Sequence, residues 1–259
     1  MKKRHRHFIL ETTAGAVRRR GAFSVLEIVF VLATVAAIVA LLNPTFSAVR
    51  KRESQIQSLS NLRQWGIAIN LSLPDNRNTL PVLGAKSDGS PDLDNPDAWF
   101  NRLPLYLSQK PLSDLVAVGV PPRLGDTSIW INPGVSENEA LQLNLGESEP
   151  LFTYAMNAWL KPSKGKKLRI TRIDNPSATV FLGEVVGREP IFTHGEIKSF
   201  YGKAKTHDAP ESSAHLLFCD GHVELVPRSR FDPAHGAPST RDDPPSAELT
   251  FVPFEGVEK

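Results

Sequence analysis

The chain has 259 residues, of which 41% are apolar and 22% are charged, the composition of a globular protein with one apolar anchor. Its single cysteine, Cys219, excludes an intrachain disulfide. The first 22 residues contain seven of the 30 Lys and Arg and one of the 28 Asp and Glu, so the remainder has a formal net charge of about −4. Because the basic residues beyond that segment form no large cluster, the sequence predicts no nucleic-acid partner.

A basic leader at residues 1–22 precedes an apolar run at residues 22–42 that contains one charge, Glu27. At about 1.5 Å per residue the run is a helix about 31 Å long, close to the ~30 Å core of a bilayer, which predicts a membrane span at about residues 23–43. An ionised carboxylate there costs about 2.5–3.5 kcal/mol and needs a partner. Cleavage after Ala22 would supply one, an α-amino group on Phe23, four residues before Glu27.

The segment from Gly21 to Glu27 resembles the N-terminus of type IV prepilins and type II secretion pseudopilins. Those proteins combine a short basic leader, a small residue at the cleavage site, a Phe as the new N-terminus and a Glu four residues later. Many also have a proline 21 residues after the Phe, where Pro44 stands here. The resemblance implies cleavage between Ala22 and Phe23, N-methylation of Phe23, a role for Glu27 in assembly and a helix bend at Pro44. The more common residue before the cleavage site is Gly, and here it is Ala22.

An ordinary secretory signal or a plain membrane anchor also combines basic residues with an apolar run. Two features favour the prepilin-like interpretation: the small-residue site precedes the apolar run, and the run is long enough to span a bilayer. The leader is more basic than residues 50–52 at the other end of the run. The positive-inside bias therefore predicts a single-pass inner-membrane protein with a cytoplasmic N-terminus and an exported, periplasmic C-terminal domain.

Apolar residues continue at helical spacing beyond the predicted span, which predicts one long helix over residues 23–72. The apolar stripe consists of Ile56, Leu59, Leu62, Trp65 and Ile69. This stripe is expected to pack against a globular domain at residues 79–228, and Pro74 ends the helix because proline cannot continue it. Residues 229–259 are predicted to form a loose C-terminal tail.

Residues 61–68, Asn-Leu-Arg-Gln-Trp-Gly-Ile-Ala, together with Asp75-Asn76 and Pro81, resemble the stretch after the membrane helix in a pseudopilin-like group of planctomycete type. Proteins of that group carry a His-to-Asp-Gly motif near the C-terminus, and the Asp-Gly-His-Val sequence at residues 220–223 is similar to it. In the group a His precedes the Asp by nine intervening residues, whereas His207 and His215 have other spacings. The resemblance also includes residues 154–157 and 175–179.

Within the globular domain, the pattern predicts a short helix at residues 97–107. The predicted strands lie at residues 128–132, 152–156, 178–182, 214–219 and 222–226, with 249–252 as a candidate edge strand. Asp220-Gly221 is a strong hairpin signal, since both residues tolerate positive φ. Because the connections are short, the sheet is expected to be antiparallel. The predicted fold class is α+β and pilin-like: a long N-terminal transmembrane-plus-amphipathic helix packed on a small antiparallel β-sheet.

The side chains that offer nitrogen and oxygen ligands near the C-terminus are His207, Asp208, His215, Asp220 and His222. A calcium site would use Asp220 and the loop at residues 203–213. The favoured interpretation is turn chemistry at Asp220, with His222 and Glu224 on a solvated strand face, and no metal or other cofactor. The sequence has no G-x-S-x-G, H-E-x-x-H or P-loop motif, so we do not expect an enzyme.

The function implied by the resemblance is that of a pilin-like structural subunit in a type II secretion or type IV pilus-like fibre. Its implied partners are a prepilin peptidase, other pilin or pseudopilin subunits, a membrane assembly platform and the membrane. Two alternatives stay open. One is a membrane-tethered exported binding domain that does not polymerise, and the other is an exported metal-dependent hydrolase that uses residues 207–222.

Overall fold

The computed structural model describes residues 24–161, 167–193, 196–198, 213–230 and 249, with side chains left undescribed at residues 39–48, 51 and 229. The chain divides into two compact units, Met1–Ser47 and Ala48–Lys259. Several features predicted from the sequence lie outside the described residues: the leader, Ala22, Phe23, residues 203–212 of the candidate calcium loop with His207 and Asp208, and residues 250–252 of the candidate edge strand.

Helix α1 runs from Val25 to Asp75 and contributes to both units. Its C-terminal end lies one residue after Pro74, close to the predicted end. Pro44 lies inside these bounds, and the helix continues through it. The bend implied at Pro44 stays a prediction.

The transmembrane part of the predicted fold class is wrong. Among the residues that the structure describes, no helix is both long enough and apolar enough to cross a membrane. Charged residues, including Arg50, Arg52 and Glu53, follow the apolar beginning of α1, so this helix is apolar over only part of its length.

The predicted antiparallel sheet is also wrong, because the second unit contains a mixed sheet of five strands in the order β3-β1-β2-β4-β5. The strands are β1 Phe152–Asn157, β2 Val180–Gly187, β3 Ile191–Phe192, β4 Ser213–Phe218 and β5 Val223–Pro227. All neighbouring pairs are antiparallel except β1 and β3, which are parallel. Strand β3 has only two residues, too few to show the alternation that reveals a strand in a sequence.

The second half of α1 packs on the core by a face that differs from the predicted stripe. Leu62, Trp65 and Ile69 are fully buried as predicted, whereas Ile56 is 67% exposed. The buried positions are Ser58, Asn61, Leu62, Trp65, Gly66, Ala68, Ile69 and Ser72. Steps of three and four residues place them on one helix face. Because polar residues share this face, hydropathy alone misplaces its centre.

Short helices and irregular segments complete the core beside α1. They are α2 Trp99–Arg102, a 3₁₀ turn Leu103–Leu107, α3 Leu112–Ala117 and α4 Glu137–Gln142. The first two replace the single helix predicted at residues 97–107. The ring of Trp65 lies 5.4 Å from that of Trp99 and 5.1 Å from that of Trp130, both edge-to-face, so three indoles anchor α1 to the domain.

The predicted strand at residues 128–132 is an irregular segment instead. Asn61 Nδ2 donates to two of its carbonyl oxygens, each at 3.0 Å, and Trp65 Nε1 donates to that of Ile129 at 3.0 Å. Thr153 Oγ1 donates to a fourth at 2.9 Å. Because side chains of α1 and β1 satisfy these backbone groups, the segment needs no neighbouring strand.

Candidate functional site

The turn between β4 and β5 uses the polar groups of Asp220 and His222 within the hairpin. Gly221 has a φ of +91°, whereas Asp220 is not among the residues with positive φ, so the turn lacks the two positive angles predicted. Gly221 N donates to Phe218 O, and Phe218 N donates to His222 O, both at 2.9 Å. His222 N donates to Asp220 Oδ1 at 3.1 Å, and His222 Nδ1 lies 2.6 Å from the same oxygen. The carboxylate of Asp220 therefore stabilises the turn.

The same turn lies directly against α1. Asn70 Nδ2 donates to the carbonyl oxygen of Asp220 at 3.2 Å. A Cβ placed on Gly66 would lie less than 3.0 Å from the carbonyl oxygen of Gly221. Because Gly66 has no side chain, the backbone of α1 can lie close to the backbone of the turn at Gly221. The two segments that carry the second resemblance, residues 61–68 and 220–223, are in contact.

Glu27 lies in the first turn of α1 and is exposed. Ser24 Oγ accepts a hydrogen bond from Leu26 N at 3.3 Å, and Ser24 N donates to Glu27 Oε2 at 3.4 Å. This reciprocal arrangement is close to a capping box, the S-x-x-E pattern that satisfies free N–H groups at a helix start. Glu27 therefore has a local role in capping α1, in addition to the role in assembly that the resemblance implies.

A buried polar network, also not predicted, joins α1 to the sheet at Glu184 of β2. Glu184 is fully buried. Ser58 Oγ and Asn132 Nδ2 donate to its Oε1 at 2.5 and 3.0 Å, and the backbone N–H of His215 donates to its Oε2 at 2.7 Å. His215 Nδ1 lies 3.3 Å from Oε1. A buried carboxylate is tolerated where several donors surround it, so this group fixes how α1, β2 and β4 fit together.

Tyr154 extends the network. Its hydroxyl lies 2.9 Å from Ser58 Oγ, and because the single Ser58 proton points to Glu184, the Tyr154 O–H donates to Ser58. Burial, and then the charge of Glu184, raise the pKa of the Tyr154 phenol well above its ordinary value. The phenol stays protonated, which preserves the direction of the chain of hydrogen bonds.

Of the candidate ligands near the C-terminus, the structure describes His215, Asp220 and His222, and it does not bring these three together. Asp220 and His222 pair in the exposed turn, whereas His215 is buried beside Glu184. In the described part of the chain, no group of three or more His, Cys, Asp or Glu is arranged to hold a metal ion. Burial raises the pKa of the Cys219 thiol, with a smaller effect of Asp220, so the thiol stays protonated.

Comparisons with models of protein families, with curated proteins and with solved structures find no match to this chain.

Proposed function

We propose that the chain is a pilin-like structural subunit whose α1 helix packs with the α1 helices of sister subunits in a type II secretion or type IV pilus-like fibre. A prepilin peptidase cleaves the precursor between Ala22 and Phe23. The observation that carries this proposal is the surface of α1 at its beginning. There, large apolar side chains are exposed around the single carboxylate of Glu27.

The exposed apolar side chains at the beginning of α1 surround the helix. They are Val25, Leu26, Ile28, Val29, Phe30, Val31, Leu32, Val35 and Ile38, each between 50% and 80% exposed. A helix that is apolar on every side is stable in water only when other apolar surface covers it. Full burial of each such side chain contributes about 1.5–3 kcal/mol, so identical helices packed side by side gain a large driving force.

The carboxylate of Glu27 needs a polar partner that the packing of apolar side chains does not supply. Once sister helices surround the carboxylate, it loses water and needs a cation or several donors. Cleavage after Ala22 creates an α-amino group on Phe23, four residues away, and in a helical array this group from one subunit can pair with Glu27 of the next. Cleavage therefore produces the cation that Glu27 lacks.

Processing is the first test. Replacing Ala22 with leucine should leave the full-length precursor when the chain is co-expressed with a prepilin peptidase, because a bulky residue stands next to the cleaved bond. Intact-mass spectrometry measures the outcome, and Ala16→Leu, a matched change elsewhere in the leader, should still mature. Normal maturation of Ala22→Leu, or a wild-type terminus beyond residue 42, would contradict the proposal.

Assembly is the second test, and two variants of Glu27 separate charge from capping. Glu27→Gln keeps a side chain that can complete the capping box, whereas Glu27→Leu loses it. Both remove the partner of the Phe23 amine, and breaking such a buried pair costs about 3–5 kcal/mol. Both variants should therefore be cleaved and folded but lose crosslinking to sister subunits by more than about 100-fold.

The pattern across these two variants identifies the cause. Loss of crosslinking in Glu27→Leu alone would assign Glu27 to helix capping and remove the electrostatic part of the proposal. Normal crosslinked multimers from both variants would favour a tethered domain that does not polymerise. Each variant should have the helix content of the unchanged chain, which circular dichroism measures.

A further inference from the structure

A basic cleft lies beside the C-terminal end of α1, within the second unit. Its volume is about 670 Å³, and it is lined by Asp75, Asn76, Arg77, Thr79, Lys167, Arg169 and Arg172. Four cations and one carboxylate give the lining a formal charge of +3. The sequence shows no large basic cluster beyond the leader, because Arg77 is about 90 residues from the other three cations along the chain.

Backbone pairing holds the two sides of the cleft in place. Leu80 N donates to Leu168 O at 2.8 Å, and Ile170 N donates to Asn78 O at 2.9 Å. Thr79 and Arg169 form an antiparallel bridge between these bonds. The buried Arg102 guanidinium donates to the carbonyl of Thr79 at 2.5 Å. The cleft is therefore a fixed part of the fold.

The cations of the cleft retain unused hydrogen-bond donors. Lys167 Nζ lies 2.6 Å from Asp97 Oδ2. Within the described residues, the guanidinium groups of Arg77, Arg169 and Arg172 have no hydrogen-bond or ion-pair partner. All four cations are exposed. Three planar donor groups thus face solvent around one concavity, a geometry that suits oxyanions.

Capping of α1 does not account for these cations, although cations at a helix C-terminus are favourable. The terminal carbonyl of Ser72 accepts from Asn76 N at 3.2 Å and from Asn76 Nδ2 at 2.7 Å. The carbonyl of Leu73 accepts from Asn78 N at 2.8 Å. Neutral groups of the following loop therefore already satisfy these carbonyls.

From these observations we infer that the cleft binds a small oligophosphate, an anion with several closely spaced phosphate groups. Among the residues that the structure describes, the lining has no aromatic side chain on which a base could stack, which disfavours single-stranded nucleic acid. The same described residues include no apolar side chain to anchor a peptide. A volume of about 670 Å³ lies within the range of small-ligand sites. The cleft is therefore expected to recognise the phosphates by charge and by hydrogen bonds from the planar guanidinium groups of its arginines.

The test uses the purified full-length chain and titration calorimetry with inorganic orthophosphate, pyrophosphate and tripolyphosphate. Affinity should rise with the number of phosphate groups, by at least about tenfold from orthophosphate to tripolyphosphate. It should fall steeply between about 0.05 M and about 0.5 M NaCl, because salt screens exposed charges. Equal affinity for the three anions would overturn the proposal.

Four variants locate the site. The double variant Arg169→Gln/Arg172→Gln should weaken tripolyphosphate binding by at least about tenfold, since each change removes a charge-assisted contact. Arg77→Asn should weaken it severalfold without destabilising the chain, because Arg77 has a φ of +56° and asparagine tolerates positive φ. Asp75→Asn should tighten binding severalfold by removing a like charge. Arg63→Gln, an exposed control on α1, should leave affinity unchanged.

Two further ligands separate the sources of phosphate. Phosphatidylglycerol vesicles present single lipid phosphates, and an oligothymidylate presents a nucleic-acid backbone. Binding of tripolyphosphate that depends on Arg77, Arg169 and Arg172 supports the proposal. Binding restricted to vesicles, or restricted to the oligonucleotide, overturns it, as does an Arg63→Gln variant that loses as much affinity as the cleft variants.

Discussion

Replacing Glu184 with leucine is expected to lower the melting temperature of the full-length chain by roughly 6–20 °C. The change leaves Ser58 Oγ, Asn132 Nδ2 and the His215 N–H without the acceptor that each has now. Removing one member of a buried charged network costs about 3–5 kcal/mol, and each kcal/mol shifts the midpoint of a domain of this size by about 2–4 °C. Thermal unfolding followed by circular dichroism measures the shift.

Glu224→Leu is the matched control for this change. Glu224 lies in β5, is partly exposed and pairs with Arg230 at 2.7 Å. A partly exposed pair of this kind contributes about 1 kcal/mol, so its loss should shift the midpoint by about 4 °C or less. Similar shifts in both variants would show that Glu184 does not organise the core. A double-mutant cycle with Ser58→Ala should be non-additive by at least about 0.5 kcal/mol.

Replacing Gly66 with valine should also destabilise the chain strongly, by about 3 kcal/mol, or roughly 6–12 °C in melting temperature. Any Cβ at this position meets the carbonyl oxygen of Gly221 and lies 3.1 Å from Leu217 Cδ1. The carbonyl belongs to a turn held by backbone hydrogen bonds and cannot rotate aside. Valine gains at most about 1 kcal/mol in helix propensity over glycine, which is less than the cost of the clash.

Leu71→Val controls for the effect of a β-branched residue on the helix. Leu71 is 52% exposed on the same helix, so its replacement tests propensity without changing the contact with the turn. Its midpoint should fall by less than about 3 °C. A Gly66→Val midpoint that is no lower than that of Leu71→Val would mean that the turn does not sit tightly on α1.

Elements whose signals are local were predictable from the sequence. Two β-prone runs around Asp220-Gly221 predict the hairpin of β4 and β5, and the structure contains it. Strand β1 lies where residues 152–156 predict it, and α1 ends close to the proline that predicts its end. In each case the residues that determine the element lie within it or directly beside it.

Features that depend on distant partners were not predictable. The segment at residues 128–132 has strand-like composition, but donors from Asn61 and Trp65, more than 60 residues away, satisfy its carbonyls. The prediction of a transmembrane helix was wrong for a different reason. It rested on the apolar beginning of α1 alone, whereas the helix is apolar over only part of its length. One signal of the buried network was present: Glu184 is the single charge between Val180 and Gly187.

The contact between α1 and the hairpin turn joins residues that are synthesised many seconds apart. Asn70 and Asp220 are 150 positions apart in the sequence. At about 5–20 residues per second, that separation corresponds to about 8–30 s of synthesis. Contacts of such long range form late, because closing a large loop costs entropy before the contact stabilises anything. The face of α1 at Gly66 and Asn70 therefore stays open for most of translation, and it is available to chaperones until the last strands of the sheet arrive.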